Sequence, residues 1–77
     1  MTRLRLVAFA MLAKVAEEKG FHRARQEGSH IVFRNDEGKI VVIPNHGSQV
    51  IVRPLLRKIL RDMGVSPDEY ARILKEL

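Results

Sequence analysis

Two very short connections near the middle of the chain restrict its fold most. Glu27–Ser29 and Asn35–Gly38 are rich in residues that favour tight turns, and strand-like segments flank both of them. These segments are Phe21–Gln26, His30–Arg34 and Lys39–Ile43. Consecutive strands joined this closely must pair antiparallel, because a parallel connection needs a crossover of roughly a dozen residues or more. The sequence therefore predicts a three-stranded antiparallel meander.

Apolar side chains at helical spacing lie on both sides of the meander. The pattern predicts a first helix over Val7–Lys19, ended by Gly20, and a second over Pro54–Met63, ended by Gly64. A third helix follows Ser66, which opens a capping-box pattern. The side chains expected to face inward there are Tyr70, Ile73, Leu74 and Leu77. The predicted fold class is α+β, in the order α-β-β-β-α-α, with the helices on one face of the sheet.

Alternation does not settle which face of the sheet is buried, because apolar residues lie on both sides of the second strand. We expect Ile31 and Phe33 to point inward, since Phe33 is the largest apolar side chain there. This choice places three side chains on the outer face: His30, Val32 and Arg34.

Residues 45–53 allow two interpretations. The β-branched run Val50–Val52 would form a fourth short strand, or it would simply lead into the second helix. The sequence does not decide between them.

The chain is short, basic and without cysteine. The lack of Cys in its 77 residues excludes a disulfide framework, a thiolate nucleophile and a Cys-ligated metal site. We expect a single small domain over 1–77, too small for a nucleotide-binding βαβ sheet. Residues 1–61 hold twelve basic and five acidic side chains, giving +7, whereas residues 62–77 hold two and four, giving −2. A basic body favours a polyanion partner, although such a charge also serves solubility alone.

The N-terminal residues resemble the core of a signal peptide. Arg3 and Arg5 precede the apolar stretch Leu6–Ala13. The same stretch belongs to the first helix, and cleavage would remove that helix from a minimal fold. No apolar run approaches the roughly 18 residues that span a bilayer. We therefore expect a cytoplasmic protein without membrane contact.

His30 is the main candidate for catalysis. It follows Gly28 and Ser29 at the start of a strand, where backbone N–H groups can face an anion. An imidazole titrates near neutrality, so it can move a proton to or from a ribose 2′-hydroxyl or a leaving 5′-oxygen. The alternative is an ordinary exposed histidine after a turn.

The two other histidines are weaker candidates. His46 lies in a loop and would serve as a second proton carrier, or is merely a loop residue. His22 is expected to be structural or exposed. The spacing of the three histidines does not match a metal-ligand pattern, so no metal site is predicted.

Arginines supply candidate RNA contacts. Arg53, Arg57 and Arg61 recur every four residues along one edge of the second helix, and Arg25 and Arg34 lie on the strands. Together they would bind several phosphates around the candidate histidine. A solvated helix face is the alternative. Base stacking on the sheet is disfavoured, because the chain holds only one Tyr and three Phe.

A series of short motifs runs from the first helix to the third. They are Gly20-Phe21, Arg25-Gln26-Glu27-Gly28-Ser29-His30, Phe33-Arg34, Gly38, Val41-Val42-Ile43-Pro44, His46-Gly47, Pro54, Leu55–Arg61, Gly64 and Ser66–Tyr70. In order and spacing this series resembles the HicA-type toxins, the small mRNA interferases of bacterial and archaeal toxin–antitoxin pairs.

The resemblance implies a fold like that of double-stranded-RNA-binding domains. It also implies that His30 is the catalytic residue, supported by Gly28 and Ser29, and that mRNA is the substrate. The implied partner is a HicB-type antitoxin that blocks the active surface and carries the DNA-binding element of the pair. No cofactor and no direct DNA contact are expected for this chain.

The leading hypothesis is a metal-independent endoribonuclease. His30 would be the general acid or base, and the candidate phosphate contacts are Arg25, Arg34, Arg57 and Arg61. One alternative is a non-catalytic RNA-binding module, in which the basic residues matter and the imidazole does not. Another is a degenerate toxin that survives only as half of a regulatory complex.

Overall fold

The computed structural model describes residues 3–77. The element bounds are α1 Phe9–Glu18, β1 His22–Glu27, β2 His30–Arg34, β3 Ile40–Pro44, α2 Arg53–Met63 and α3 Pro67–Glu76. The strands pair antiparallel in the order β1-β2-β3, so the predicted α+β meander is confirmed. The expected domain range also includes Met1 and Thr2, which lie outside the described residues. Across 3–77, each helix is too short or too polar to cross a membrane.

A two-residue turn joins β1 to β2. Gly28 has a φ of 60°, which glycine adopts without strain, whereas the φ of Ser29 is not positive. Glycine at the first turn position with such a φ is the pattern of a type II′ turn, whose twist matches that of the flanking strands. The turn therefore places Glu27 directly opposite His30 in the strand ladder.

The core lies on the sheet face that carries Ile31 and Phe33. Both side chains are fully buried, as predicted, and they join residues of all three helices in one cluster. Val32 points to the opposite face but is only 5% exposed. As the centre of the middle strand, it is flanked in register by Arg25 on β1 and Val42 on β3. We call this second face, away from the core, the open face.

The segment before α2 pairs with the segment before α1. The Ile51 amide donates to the Val7 carbonyl at 2.9 Å, and Ala8 pairs with Val50 in an isolated antiparallel bridge. This pairing holds Ala8 in an extended conformation, so α1 begins at Phe9 rather than at Val7. Val50 therefore does not join the sheet as part of a fourth strand.

The predicted cap of α3 is confirmed. Ser66 Oγ accepts a hydrogen bond from the Glu69 amide at 3.1 Å. The Glu69 carboxylate also binds Lys19, the residue that caps the C-terminal end of α1, with 2.7 Å between Nζ and Oε2. The hydrogen bond from Lys19 is the main cause that lowers the pKa of Glu69. One acidic side chain thus joins the first helix to the last.

The inward prediction for α3 is correct except at the end of the helix. Tyr70 and Ile73 are buried and Leu74 is half-buried, but Leu77 is 47% exposed. The prediction for Leu77 is wrong because α3 ends at Glu76 and the last residue stays at the surface.

The buried hydroxyl of Tyr70 ties α3 to the N-terminal segment by donating to the Arg5 carbonyl at 2.5 Å. Burial raises the pKa of Tyr70 to about 12, while the charge of Arg5 opposes this shift. Because the folded pKa exceeds the unfolded one, the neutral phenol stabilises the fold below pH about 10, and this contribution is lost as the pH rises toward 12.

Tyr70 is the only tyrosine in the chain, so phenolate absorbance reports on it alone. We expect an absorbance midpoint near 12 in the native protein and near 10 in urea. A native midpoint equal to the denatured one would contradict the burial of this ring.

Candidate active site

His30 lies at the first position of β2, directly after the turn, and its side chain is exposed. Its neighbours across the sheet are Glu27 on β1 and Pro44 on β3. Within residues 3–77 no hydrogen bond or ion pair engages its imidazole. The ring is therefore available to exchange a proton with a bound ligand.

A backbone hydrogen bond brings His46 to the same region. The Asn45 amide donates to the Ser29 carbonyl at 2.7 Å, which ties the loop after β3 to the turn before β2. Asn45 Oδ1 in turn accepts the Gly47 amide at 3.1 Å, which closes a tight turn around His46. The structure thus places His30 and His46 along one groove.

This groove lies between β3 and the start of α2 and has a volume of about 530 Å³. We call it the β3 groove, and its apolar wall includes Ile40, Val42, Val50, Val52 and Leu55. Of the five large apolar side chains exposed among residues 3–77, four lie in this wall. Such a concentration of exposed apolar surface is typical of a binding site.

A bulge in β1 decides which basic side chains share the open face. The strand register shifts between Arg23 and Arg25. Arg25 then pairs with Val32 on the open face, whereas Arg23 pairs with Phe33 and lies over the ring of Phe9, 5.4 Å from its centroid. Regular alternation would have put both arginines on one face.

The two arginines of the open face differ in their partners. Arg25 Nε contacts Glu27 Oε2 at 2.7 Å, and both side chains are 64% exposed. Such exposed ion pairs contribute little to the free energy of folding, so a phosphate can displace the carboxylate. Arg34 lies at the other end of β2 from His30, and nothing in the described part of the chain forms a hydrogen bond or ion pair with its guanidinium.

The arginines of α2 lie apart from the β3 groove. Arg57 and Arg61 border a separate hollow together with Leu4. Arg53 Nη1 donates to the Leu4 carbonyl at 2.8 Å, which fixes the N-terminal segment. The α2 cation that does line the β3 groove is Lys58. The structure therefore does not bring Arg57 and Arg61 to the candidate histidine, and their role as RNA contacts stays a prediction.

Two charged residues near His30, Glu27 and Lys58, were not assigned to the site from the sequence. Glu27 was detectable from the two-residue turn, because such a turn sets its flanking residues opposite each other. Lys58 lies three residues after Leu55 and so on the same side of α2, but the sequence does not show that this side faces β3. Its Nζ contacts Asp62 Oδ2 at 2.9 Å, so this cation is already paired.

The arrangement suits acid–base chemistry on an anionic ligand. Two imidazoles along one groove can take a proton from a ligand and return one to it. Guanidinium groups on the adjoining open face can bind phosphate oxygens. Among residues 3–77, no three His, Asp or Glu side chains are grouped so as to hold a metal ion.

Replacing Gly28 with Ala tests the turn that positions this site. A side chain at a φ of 60° is strained, so we expect the free energy of unfolding to fall by about 1–2 kcal/mol. No atom lies within 4 Å of the added Cβ, so the backbone alone causes the loss. Denaturant titration measures it, with Ser29→Ala as the control, expected within about 0.5 kcal/mol of wild type. Equal losses in the two variants would contradict the assigned turn.

Comparison with protein families gives a match over most of the chain. Residues 10–65 match the model of the family described as HicA toxin of bacterial toxin–antitoxin. The matched range contains the whole sheet, both candidate histidines and the β3 groove. A search of curated proteins finds no match.

Proposed function

Because the chain belongs to the HicA toxin family, we propose that it is an endoribonuclease that cleaves mRNA without a metal cofactor. The toxin role follows from the family, and the activity rests on His30. Its exposed imidazole lies where the apolar β3 groove meets the basic open face, and no other group of the described chain engages it. A single-stranded RNA would thus meet a proton carrier and phosphate-binding cations on one surface.

In the proposed reaction the ribose supplies the nucleophile. One imidazole takes the proton of the 2′-hydroxyl, and the 2′-oxygen attacks the adjacent phosphorus. The bond between phosphorus and the 5′-oxygen then breaks, and the leaving oxygen receives a proton from an acid. The products are a 2′,3′-cyclic phosphate and a 5′-hydroxyl.

His30 is assigned the main acid–base role and His46 the second. The hydrogen bond between the Asn45 amide and the Ser29 carbonyl supports this pairing, because it holds the loop of His46 against the turn that carries His30. Two histidines are sufficient for the reaction if one accepts the proton of the 2′-hydroxyl and the other donates a proton to the leaving oxygen.

The phosphate contacts are assigned to Arg25 and Arg34, which share the open face with His30. Neutralisation of phosphates by such side chains supplies affinity that falls as salt rises. Arg57 and Arg61 border a different hollow, so they contact only an RNA that continues around α2.

The partner is proposed to be a HicB-type antitoxin that covers the β3 groove. The groove combines exposed apolar side chains with the outer edge of β3, whose free backbone groups can accept another strand. The net charge of +5 favours an acidic partner. A protein seated there would bury His30 and stop cleavage, and DNA contact would come from the antitoxin alone.

A non-catalytic RNA-binding module is the second candidate. It is favoured by one observation, namely that within residues 3–77 no hydrogen bond orients the His30 ring, although catalytic histidines are commonly oriented by a partner. Binding of RNA would then persist without the imidazole, and no cleavage would occur.

Cleavage of a labelled single-stranded RNA in the presence of EDTA separates these candidates. We expect His30→Ala to lower the rate by at least about 100-fold, because it removes the proton carrier. His46→Ala should cause a smaller loss, and Lys14→Ala, an exposed cation on α1, should cleave like wild type. Metal-dependent cleavage, or a wild-type rate for His30→Ala, would contradict the proposed mechanism.

Val52→Asp tests the antitoxin surface. Val52 is the N-cap of α2 and lacks a side-chain cap, so an aspartate there suits the helix while it charges the groove wall. We expect its affinity for the antitoxin to fall by roughly tenfold or more in a titration. Leu77→Asp is the matched control, since it charges an exposed apolar residue outside the groove. Equal affinities for the two variants would exclude the groove as the interface.

A further inference from the structure

The end of the open face farthest from His30 carries a second cluster of basic side chains. His22 of β1 and Arg34 of β2 pair in register there. They border a hollow of about 380 Å³, which we call the distal hollow and whose other lining residues are Arg23, Ala24, Asn35 and Asp36. The bulge in β1 separates this cluster from Arg25.

The basic side chains of the distal hollow form no ion pair within it. In the part of the chain that the structure describes, neither the His22 side chain nor the Arg34 side chain takes part in a hydrogen bond or ion pair. Arg23 is held by its contact with the ring of Phe9 at 5.4 Å. The guanidinium of Arg34 is thus the group of the hollow that is free to bind an anion, beside the imidazole of His22 and the carboxylate of Asp36. An unpaired guanidinium at a hollow suits an oxyanion such as phosphate.

We propose that the distal hollow binds a backbone phosphate of the same RNA strand whose scissile phosphate lies at His30. This inference rests on the proposed function, because it takes His30 as the cleavage position. His30 and Arg34 are four residues apart on one face of β2, so roughly 13 Å separates them. A stacked single strand advances about 3.4 Å per nucleotide and covers this distance in roughly four nucleotides, and an extended strand needs fewer. The RNA therefore lies along β2.

The hollow recognises the RNA backbone rather than a base. No Phe, Tyr or Trp lines it, so the imidazole of His22 is the one aromatic ring in its walls. Contacts to phosphate fix the position of the strand without reading its sequence. An RNA too short to reach from His30 to the hollow consequently loses affinity.

Binding measurements in the His30→Ala background test this without cleavage of the ligand. The probes are a uridine dinucleotide, followed by NMR titration, and a labelled oligouridylate of about twelve nucleotides, followed by fluorescence anisotropy. We expect Arg34→Ala to weaken the long probe by roughly tenfold and to lower its salt slope by about one, with little change for the dinucleotide. His22→Ala should weaken the long probe less, and Lys14→Ala should weaken neither probe.

The outcomes separate this inference from the proposed function. If wild type cleaves RNA but Arg34→Ala and Lys14→Ala bind the long probe equally, the distal hollow is overturned and the nuclease stands. If wild type does not cleave, yet Arg34→Ala loses affinity only for the long probe, the hollow stands as a phosphate site of an RNA-binding protein. Equal weakening of both probes by Arg34→Ala overturns the inference. Circular dichroism of each variant confirms that it folds. If Arg34→Ala does not fold, Arg34→Lys is measured as well, because it retains the charge.

Discussion

A backbone that passes through a left-handed conformation at Gly28 sets the geometry of the candidate site. The two-residue turn fixes the register in which Glu27 faces His30, and it presents the Ser29 carbonyl to the Asn45 amide. One turn therefore positions the strand that carries His30 and anchors the loop that carries His46. Both placements are independent of how the apolar core packs, because the turn lies at the end of the strands.

The meander was predictable from the sequence because two tight turns leave only one way to pair the strands. His30 was predictable as a candidate from its place after Gly28 and Ser29. The position of Arg25 on the open face was not, since no Gly or Pro marks the bulge that places it there. The side of α2 that faces the groove was equally hidden, because helical spacing groups Arg57 with Arg61 but does not say how the helix packs on β3.

Two chemically different surfaces meet at His30 in the proposed function. The open face offers cations to a polyanion, and the β3 groove offers apolar side chains to a protein. Because both surfaces include the surroundings of the same imidazole, an antitoxin in the groove and an RNA at His30 exclude each other. Inhibition then follows from occupancy alone and needs no change in the conformation of the toxin.

The two edges of the sheet differ in what they permit. β1 carries a charged side chain at every second residue from Arg23, is exposed along its whole length and contains a bulge. Each of these features discourages pairing with a further strand. β3 is regular and bears the exposed side chains of Ile40 and Val42. Growth of the sheet by edge pairing is therefore one-sided. Two copies that met through β3 would leave only the charged, bulged β1 strands at the outer edges, so pairing by strand addition would stop at two chains.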